Sequence, residues 1–218
     1  MTVTIILGAT SPIAFEIAKL EVQNCSQLLL VGRDSYELEI RKKDLDFQNT
    51  SKCEIVTKTI GAENLDWIEF LNTFSEVTRI YCFIGALSSE NNGYLNQLQD
   101  IAYNSIFPLK FILPVLKQAK NSKQAKIVII TSVAQFIPRP FVLGYGSGKA
   151  ALSFAIQSLM RSRELRNTKI YEVRLGWVDT SMSFQRTLPA ITYSPYRIAT
   201  LIIKRTRGRS RAVYVPSW

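Results

Sequence analysis

The chain of 218 residues contains no histidine, only three cysteines and no long apolar run. The absence of histidine excludes Ser-His-Asp triads and metal sites built on imidazole. Cys25, Cys53 and Cys82 are odd in number and widely spaced, which favours neither a disulfide framework nor a metal site. No apolar run approaches the ~20 residues of a membrane-spanning helix, and the first strand-like segment has no basic leader before it. We therefore expect a cytoplasmic protein that binds no metal.

Acidic residues are too few to balance the basic ones, and the formal net charge is +10. Part of this excess lies near the C-terminus, in Lys204, Arg205, Arg207, Arg209 and Arg211. One interpretation is a solvated basic surface, and another is peripheral contact with an anionic membrane face through this basic C-terminal segment. We expect no nucleic acid partner, because no nucleic-acid-binding motif accompanies the charge.

Strand-length apolar runs alternate with helical patterns along the whole chain, which indicates repeated βαβ units. The predicted strands are 2–7, 27–31, 53–58, 79–84, 126–131, 169–174 and 212–215. The predicted helices are 12–23, 35–48, 64–74, 95–119, 145–166 and 195–206, and Pro108 and Pro114 are expected to bend or divide the fourth. The fold class is therefore α/β: one Rossmann-like, doubly wound domain over 1–218, with a mostly parallel seven-stranded sheet and helices on both faces.

The turn after the first strand has the chemistry of a phosphate site. Gly8 permits a sharp backbone turn, Ser11 is suited to an N-cap, and Pro12 is suited to the first helical position. A helix that begins here directs free amides and its positive dipole end at the turn, which suits a pyrophosphate. A purely structural turn has the same pattern, so this motif alone does not decide between the two.

The residue after the second strand bears on cofactor choice. An acid at this place holds the ribose hydroxyls of NAD, whereas an arginine accommodates the additional phosphate of NADP. Arg33 occupies this place, and its planar guanidinium matches phosphate geometry. We predict NADP(H) in preference to NAD(H). The alternative is a surface arginine paired with Asp34.

A second group of residues indicates acid/base chemistry. Ser132 ends the fifth predicted strand, and Tyr145 and Lys149 follow at a spacing that places them on one helix face. A nearby cation is expected to lower the phenol pKa of the tyrosine toward the working range. The spacing of Tyr145 and Lys149 also arises by chance, and a tyrosine at a helix start is often only a packing residue. The combination with the strand-end serine and the glycine turn is much rarer.

Taken together, these motifs resemble the short-chain dehydrogenase/reductase family over nearly the whole chain. The turn from Leu7 to Ala14 is similar to the family's glycine-rich turn, Ile84-Gly85-Ala86 to its Asn-Ala-Gly, and Leu175-Gly176 to its Pro-Gly. The chain departs from the pattern at Leu7, Pro12, Ala14, Ile84 and Leu175. The resemblance assigns catalysis to Asn104, Ser132, Tyr145 and Lys149. It assigns cofactor binding to Gly8, Thr10, Ser11, Pro12, Ile13, Arg33, Gly85, Ala86, Tyr145, Lys149, Gly176, Val178 and Thr180.

The resemblance also implies roles. Tyr145 would exchange a proton with the substrate oxygen, Lys149 would lower its pKa and hold the nicotinamide ribose, Ser132 would position that oxygen, and Asn104 would hold a water in the proton relay. The function implied is NAD(P)H-dependent interconversion of a carbonyl and an alcohol in a small molecule. The alternative is a non-catalytic NADP(H)-binding sensor or scaffold, which the altered turn favours. A substrate lid over about 180–195 and a homodimer or homotetramer are further expectations.

Overall fold

The computed structural model describes residues 2–61, 67–74, 77–87, 94–119, 125–178 and 193–216. Seven strands form one sheet in the order β3-β2-β1-β4-β5-β6-β7. They are β1 Val3–Leu7, β2 Gln27–Gly32, β3 Glu54–Thr59, β4 Val77–Cys82, β5 Lys126–Ser132, β6 Lys169–Leu175 and β7 Arg211–Val215. Every neighbouring pair is parallel. The predicted α/β class and doubly wound sheet are confirmed, although β4 begins two residues earlier than expected.

Helices cover both faces of this sheet. They are α1 Pro12–Glu21, α2 Ser35–Gln48, α3 Trp67–Asn72, α4 Tyr94–Asn104, α5 Ile106–Ala119, α6 Leu143–Met160 and α7 Pro195–Arg205. Helices α1, α2 and α7 enclose one apolar core, and α3, α5 and α6 enclose the other. Strand β1 shows why: Ile5 and Leu7 enter one core while Ile6 enters the other, because successive side chains point to opposite faces. A strand buried on both faces has to be apolar throughout.

The predicted fourth helix is divided, and proline explains where. Helix α4 ends at Asn104 and α5 begins at Ile106, with Ser105 between them. Pro108 has no amide to donate to the Asn104 carbonyl, and its ring crowds that carbonyl, so α4 does not continue past it. Pro114, in contrast, lies inside α5 without ending it.

The strand order places a crevice at one edge of the sheet. The chain leaves β1 toward β2 on one side and reaches β4 on the other side, so the connections diverge between β1 and β4. Ligands of such sheets bind outside the carboxyl ends of the strands at this switch point. Among the described helices, none is both long enough and apolar enough to cross a membrane.

Candidate active site

A cavity of about 390 Å³ lies at the carboxyl edge of the sheet. It is bordered by the segments that follow β1, β2, β4, β5 and β6, as the topology requires. The predicted cofactor residues Gly8, Thr10, Ser11, Pro12, Ile13, Arg33, Gly85, Ala86, Tyr145, Lys149, Gly176 and Val178 all line it, as does Ser132. Thr180 and most of the expected lid lie outside the described residues. The described parts adjoining that segment meet in a parallel bridge between Val178 and Tyr193.

The turn after β1 depends on glycine. Gly8 has a φ of 77°, in the left-handed region. A Cβ at this position would lie 2.9 Å from the carbonyl carbon of Phe83, which belongs to the segment after β4. The amides of Gly8 and Ala9 both donate to the carbonyl of Val31, at 2.8 and 3.0 Å. The turn is therefore held tightly between the ends of β2 and β4.

Helix α1 begins immediately beyond this turn. Ser11 occupies the N-cap with extended backbone, but its hydroxyl makes no capping hydrogen bond, and Pro12 is the first helical residue. The Phe15 amide donates to the Ser11 carbonyl at 2.9 Å. The amides of Ile13 and Ala14 lie in the first turn of α1, before this first intrahelical hydrogen bond, and form part of the positive end of the helix dipole. Pro12 contributes no amide here, so the anion-binding capacity rests on Ile13, Ala14 and the Ser11 hydroxyl.

Arg33 and Asp34 have separate surroundings. The Asp34 carboxylate caps α2 by accepting from the Glu37 amide at 3.0 Å. The Arg33 guanidinium lies over the Tyr103 ring, 5.5 Å from its centroid, and lines the cavity. An Arg33–Asp34 pair is not among the ion pairs found within the described part of the chain. Asp34 therefore acts as the N-cap of α2, and Arg33 lines the cavity without pairing with Asp34.

The serine and the tyrosine come together at the other side of the cavity. Ser132 ends β5, and its hydroxyl accepts from the Ala134 amide at 3.2 Å, which begins the short 3-10 helix Val133–Phe136. The Tyr145 side chain, in the first turn of α6, lies next to Ser132, and both residues line the cavity. Burial raises the pKa of Tyr145, and the neighbouring Ser132 side chain lowers it by less. The net direction is upward, so Tyr145 is protonated at neutral pH.

Lys149 lies one turn further along α6 and is buried. Its ammonium donates to the carbonyls of Ile84 and Ile130, at 3.1 and 3.2 Å. Burial lowers the pKa of Lys149 to about 8, against a smaller opposing influence of Cys82. The ammonium is 5.9 Å from the centroid of the Tyr145 ring. Burial is the largest influence on the Tyr145 pKa, which is raised overall.

Asn104 is fully buried and bridges two backbone segments. Its amide group donates to the carbonyls of Ala86 and Asp100, at 2.6 and 2.8 Å, and its side-chain oxygen accepts from the Ala86 amide at 3.2 Å. These bonds fix the segment after β4 against the end of α4. The Asn104 side chain is not among the groups that line the cavity. Pro108, four residues further on, has no amide to donate to the Asn104 backbone carbonyl.

Gly85 explains why these groups can meet. A Cβ at this position would lie 2.9 Å from the Asn104 side-chain oxygen and 2.9 Å from the Lys149 ammonium. Neither neighbour is free to move, since each is bonded to backbone carbonyls. A glycine after β4 is therefore required by the crowding of two predicted catalytic side chains.

Some residues near the cavity were not predicted from the sequence. Glu172, in β6, is fully buried and accepts hydrogen bonds from Thr131, Ser153 and Arg174, at 3.0, 2.7 and 2.9 Å. Burial alone would raise the pKa of Glu172, but hydrogen bonds from Arg174, Ser153 and Gln135 lower it overall. The network joins β5, β6 and α6 beside Ser132. A charged residue within an apolar strand is the sequence signal that could have identified it.

Arg139 is the other residue that sequence reasoning missed. It lies between Ser132 and Tyr145, lines the cavity and is half-buried. An arginine in a connection gives no sequence signal that distinguishes the cavity from solvent. Among the residues described, no group of three or more cysteine or acidic side chains is placed to hold a metal ion.

The comparison with protein families agrees with this geometry. Residues 2–188 match the family model described as short chain dehydrogenase. The chain belongs to that family. The Pinus massoniana protein named 11-beta-hydroxysteroid dehydrogenase is 24% identical over 191 residues, which are 83% of this chain and 52% of that protein. The mouse dehydrogenase/reductase SDR family member 7B is 25% identical over 96% of this chain and 67% of its own length. The chain thus spans about half the length of the pine relative.

Solved structures share the fold at low identity. A short-chain dehydrogenase from Sphingobium yanoikuyae in complex with NADPH has a TM-score of 0.83 and 19% identity, over 99% of this chain and 88% of that one. An alcohol dehydrogenase from Thermococcus sibiricus complexed with 5-hydroxy-NADP has a TM-score of 0.78 and 20% identity, over 98% and 96%. At these identities the likeness establishes the fold, and the roles of individual residues have to be argued from the site.

Proposed function

We propose that the protein is an NADP(H)-dependent oxidoreductase that interconverts a carbonyl and an alcohol, with Tyr145 as the acid/base. The observation that carries the proposal is the position of Ser132 next to Tyr145, with the Lys149 ammonium beside them in the same cavity. A serine and a tyrosine that lie next to each other can both donate to a single substrate oxygen placed between them.

The residues present fit a dinucleotide. The tight turn at Gly8 and the start of α1 suit a pyrophosphate, and Arg33 suits a phosphate on the adenosine ribose. When bound, the cofactor supplies or accepts the hydride. We assign the nicotinamide end to Gly176, Val178 and Thr180, of which Thr180 lies outside the described residues.

Tyr145 holds the proton that the reaction needs. Its raised pKa keeps the phenol protonated at neutral pH, so it is prepared to donate to a carbonyl oxygen that becomes an alcohol oxygen. Ser132 holds the same oxygen in place. The Lys149 ammonium donates two of its three N–H groups to the carbonyls of Ile84 and Ile130, and the third can donate to a ribose hydroxyl. The positive charge that stays near Tyr145 then stabilises the phenolate left after donation.

Asn104 acts through position. Its side chain fixes the segment that contains Gly85 and Ala86 against α4. Its backbone carbonyl is the group that would hold a water in the relay that returns a proton to Tyr145. We infer a preference for NADP(H) from the position of Arg33 at the cavity. Asp34 does not oppose this preference strongly, because its carboxylate caps α2 and would repel the additional phosphate less than a free acid at the cavity.

The test is turnover by the wild type and by Tyr145→Phe. The wild type should oxidise NADPH with at least one carbonyl in a panel of sugars, keto-steroids and acyl ketones. Tyr145→Phe removes only the hydroxyl, so it should lower kcat by about 1,000-fold while the Kd for NADPH stays within about twofold. Undiminished turnover by Tyr145→Phe would contradict the assignment.

A second candidate function is an NADP(H)-binding sensor or scaffold without turnover. Pro12 favours it, because it removes one amide from the turn that faces the phosphates. This candidate predicts a thermal shift with NADPH in the wild type and no oxidation of NADPH across the same panel.

We also propose that the protein contacts an anionic membrane surface. The basic C-terminal segment exposes Lys204, Arg207, Arg209 and Arg211, which suits an anionic membrane face. Salt-sensitive binding to phosphatidylserine vesicles would support that contact, and no binding at low salt would exclude it.

We propose a homodimer or homotetramer through α4, α5 and α6. Ile106 and Phe154 on these helices are 67% and 77% exposed, whereas Phe111 is core and Phe107 packs against it. Large apolar side chains that are exposed in the single chain are typical of a face that a second subunit covers. Light scattering at micromolar concentration tests this.

A further inference from the structure

The cavity contains a cation that the proposed chemistry does not use. Arg139 lies in the connection from β5 to α6, between Ser132 and Tyr145, and is one of the residues that line the cavity. The neighbouring lining groups from the same connection are apolar, namely Ala134, Ile137 and Val142. Leu175, the last residue of β6, and Trp177 in the segment after it extend this apolar wall.

Arg139 differs from the other arginines near the cavity in its contacts. Arg174 is held by both oxygens of Glu172 and by the Tyr214 hydroxyl. Arg33 lies over the Tyr103 ring. Within the described part of the chain, no acidic side chain, hydrogen-bond acceptor or aromatic ring pairs with the Arg139 guanidinium, although the residue is half-buried. An arginine that lines a cavity and has no partner among the described residues is available to bind an anionic ligand group.

The backbone holds Arg139 in this place. Pro138 and Pro140 flank it, and each proline has a fixed φ. Its carbonyl accepts from the Val142 amide at 3.1 Å, within the 3-10 helix Pro140–Val142 that leads directly into α6. A guanidinium presented from a rigid segment loses less entropy when it binds a ligand than one on a mobile loop.

Arg139 lies on the substrate side and not on the phosphate side. Arg33 follows β2 and Arg139 follows β5, and these strands are separated by β1 and β4. Three strand spacings of ~4.8 Å place the ends of β2 and β5 roughly 14 Å apart. Arg33 therefore serves the adenosine end of a dinucleotide, while Arg139 shares its segment with Ser132 and Tyr145.

We infer that Arg139 is a specificity-determining residue that binds an anionic oxygen group, carboxylate or phosphate, of the carbonyl substrate. The inference rests on the proposed function and deepens it. The substrate is then an apolar carbonyl compound with an anionic group. The apolar wall contacts its body, and the guanidinium fork contacts its charged end.

The test compares matched substrates in matched variants. Para-carboxybenzaldehyde has the charge, and its methyl ester has nearly the same shape without it. Arg139→Gln should raise KM for the acid by about tenfold and change KM for the ester by less than about twofold. Arg139→Lys should retain part of the preference. Arg166→Gln removes the same charge from an exposed site before β6, at the opposite edge of the sheet, and should change neither value. Equal effects of Arg139→Gln on both substrates would overturn the inference.

A binding measurement separates this inference from the proposed function. If the wild type reduces neither aldehyde, the proposed function fails for this substrate class, and calorimetry with para-(hydroxymethyl)benzoate still tests Arg139. Loss of about tenfold in affinity for that acid in Arg139→Gln, but not in Arg166→Gln, would support an anion site. Affinity for the acid that is unchanged by Arg139→Gln, or no affinity for it in the wild type, would overturn it.

Discussion

The proposed cofactor end and the proposed catalytic end of the cavity, called the cofactor end and the catalytic end below, are built in different ways. At the cofactor end, from Gly8 to Ile13 together with Arg33, the available groups are mostly backbone amides and one arginine with few contacts. At the catalytic end, Asn104 and Lys149 are buried and bonded to backbone carbonyls on three different segments. The catalytic end is therefore preorganised by the fold, whereas the cofactor end depends on one turn.

The departures from the family pattern do not include the predicted catalytic residues. The chain departs at Leu7, Pro12 and Ala14 in the cofactor turn and at Ile84 and Leu175 beyond it, and it retains all four predicted catalytic residues. Ala14 is fully buried, so a small side chain is what its surroundings need. A catalytic side chain that also holds the backbone cannot change without disturbing its neighbours.

The largest expected effect after Tyr145→Phe is that of Gly85→Ala. The new Cβ would meet both the Asn104 oxygen and the Lys149 ammonium at 2.9 Å, so the catalytic groups must shift. We expect kcat to fall by about 100-fold with a smaller change in the Kd for NADPH, measured by single-turnover kinetics and fluorescence titration.

Gly208→Ala is the matched control for Gly85→Ala. Gly208 has a φ of 83° and no neighbour within 4 Å of its Cβ position. This variant should lose roughly 1 to 2 kcal/mol of stability and keep its kcat. If Gly85→Ala loses NADPH affinity and keeps kcat, the proposed contrast between the two ends is wrong.

An intermediate effect is expected from pH. Lys149 has a pKa of about 8, so its ammonium is present below that pH and is lost above it. Tyr145 has a raised pKa and stays protonated through the same range. For carbonyl reduction, kcat/KM should be level below pH 8 and fall about tenfold per pH unit above it, toward a limit set by the neutral lysine.

Lys149→Arg provides the control for the pH profile, because a guanidinium keeps its proton over this range. Its activity should be lower, but its profile should be level across pH 8. A wild-type profile that rises through pH 8 would mean that the neutral lysine is the active form.

The smallest expected effect is that of Arg33→Gln. Loss of one charged partner of the additional phosphate should raise the Kd for NADPH by roughly tenfold and leave the Kd for NADH within twofold. Equal changes in both affinities would assign Arg33 to packing on Tyr103 instead. The kcat at saturating NADPH should not change, since Arg33 lies away from the catalytic end.

Much of the fold follows from local patterns in the sequence. Continuous apolar runs such as Ile127–Ile130 predict strands covered on both faces, and the seven strands were all predicted to within two residues. The break between α4 and α5 follows from Pro108. Helix α3 is shorter in its described part than expected, beginning at Trp67, because residues 62–66 lie outside the described ones.

The site was less predictable where it depends on distant segments. The raised pKa of Tyr145 comes from burial, which depends on how α6 packs and not on the spacing of Tyr145 and Lys149. The bonds from Asn104 to Ala86 join residues 18 apart, and no local pattern predicts them. The sequence does not indicate that Arg139 lines the cavity, because the path of the backbone in the folded protein decides which residues of a connection do so.

The most direct test of the proposed reaction is to trace the hydride from NADPH to the alcohol product. NADPH that carries deuterium in place of both hydrogens at the reactive carbon of its nicotinamide would be incubated with the wild type and a carbonyl that it reduces. We expect an alcohol that contains deuterium at the former carbonyl carbon, and no such product from Tyr145→Phe on the same timescale. Alcohol formed without deuterium, or labelled alcohol formed equally by Tyr145→Phe, would contradict the proposed reaction.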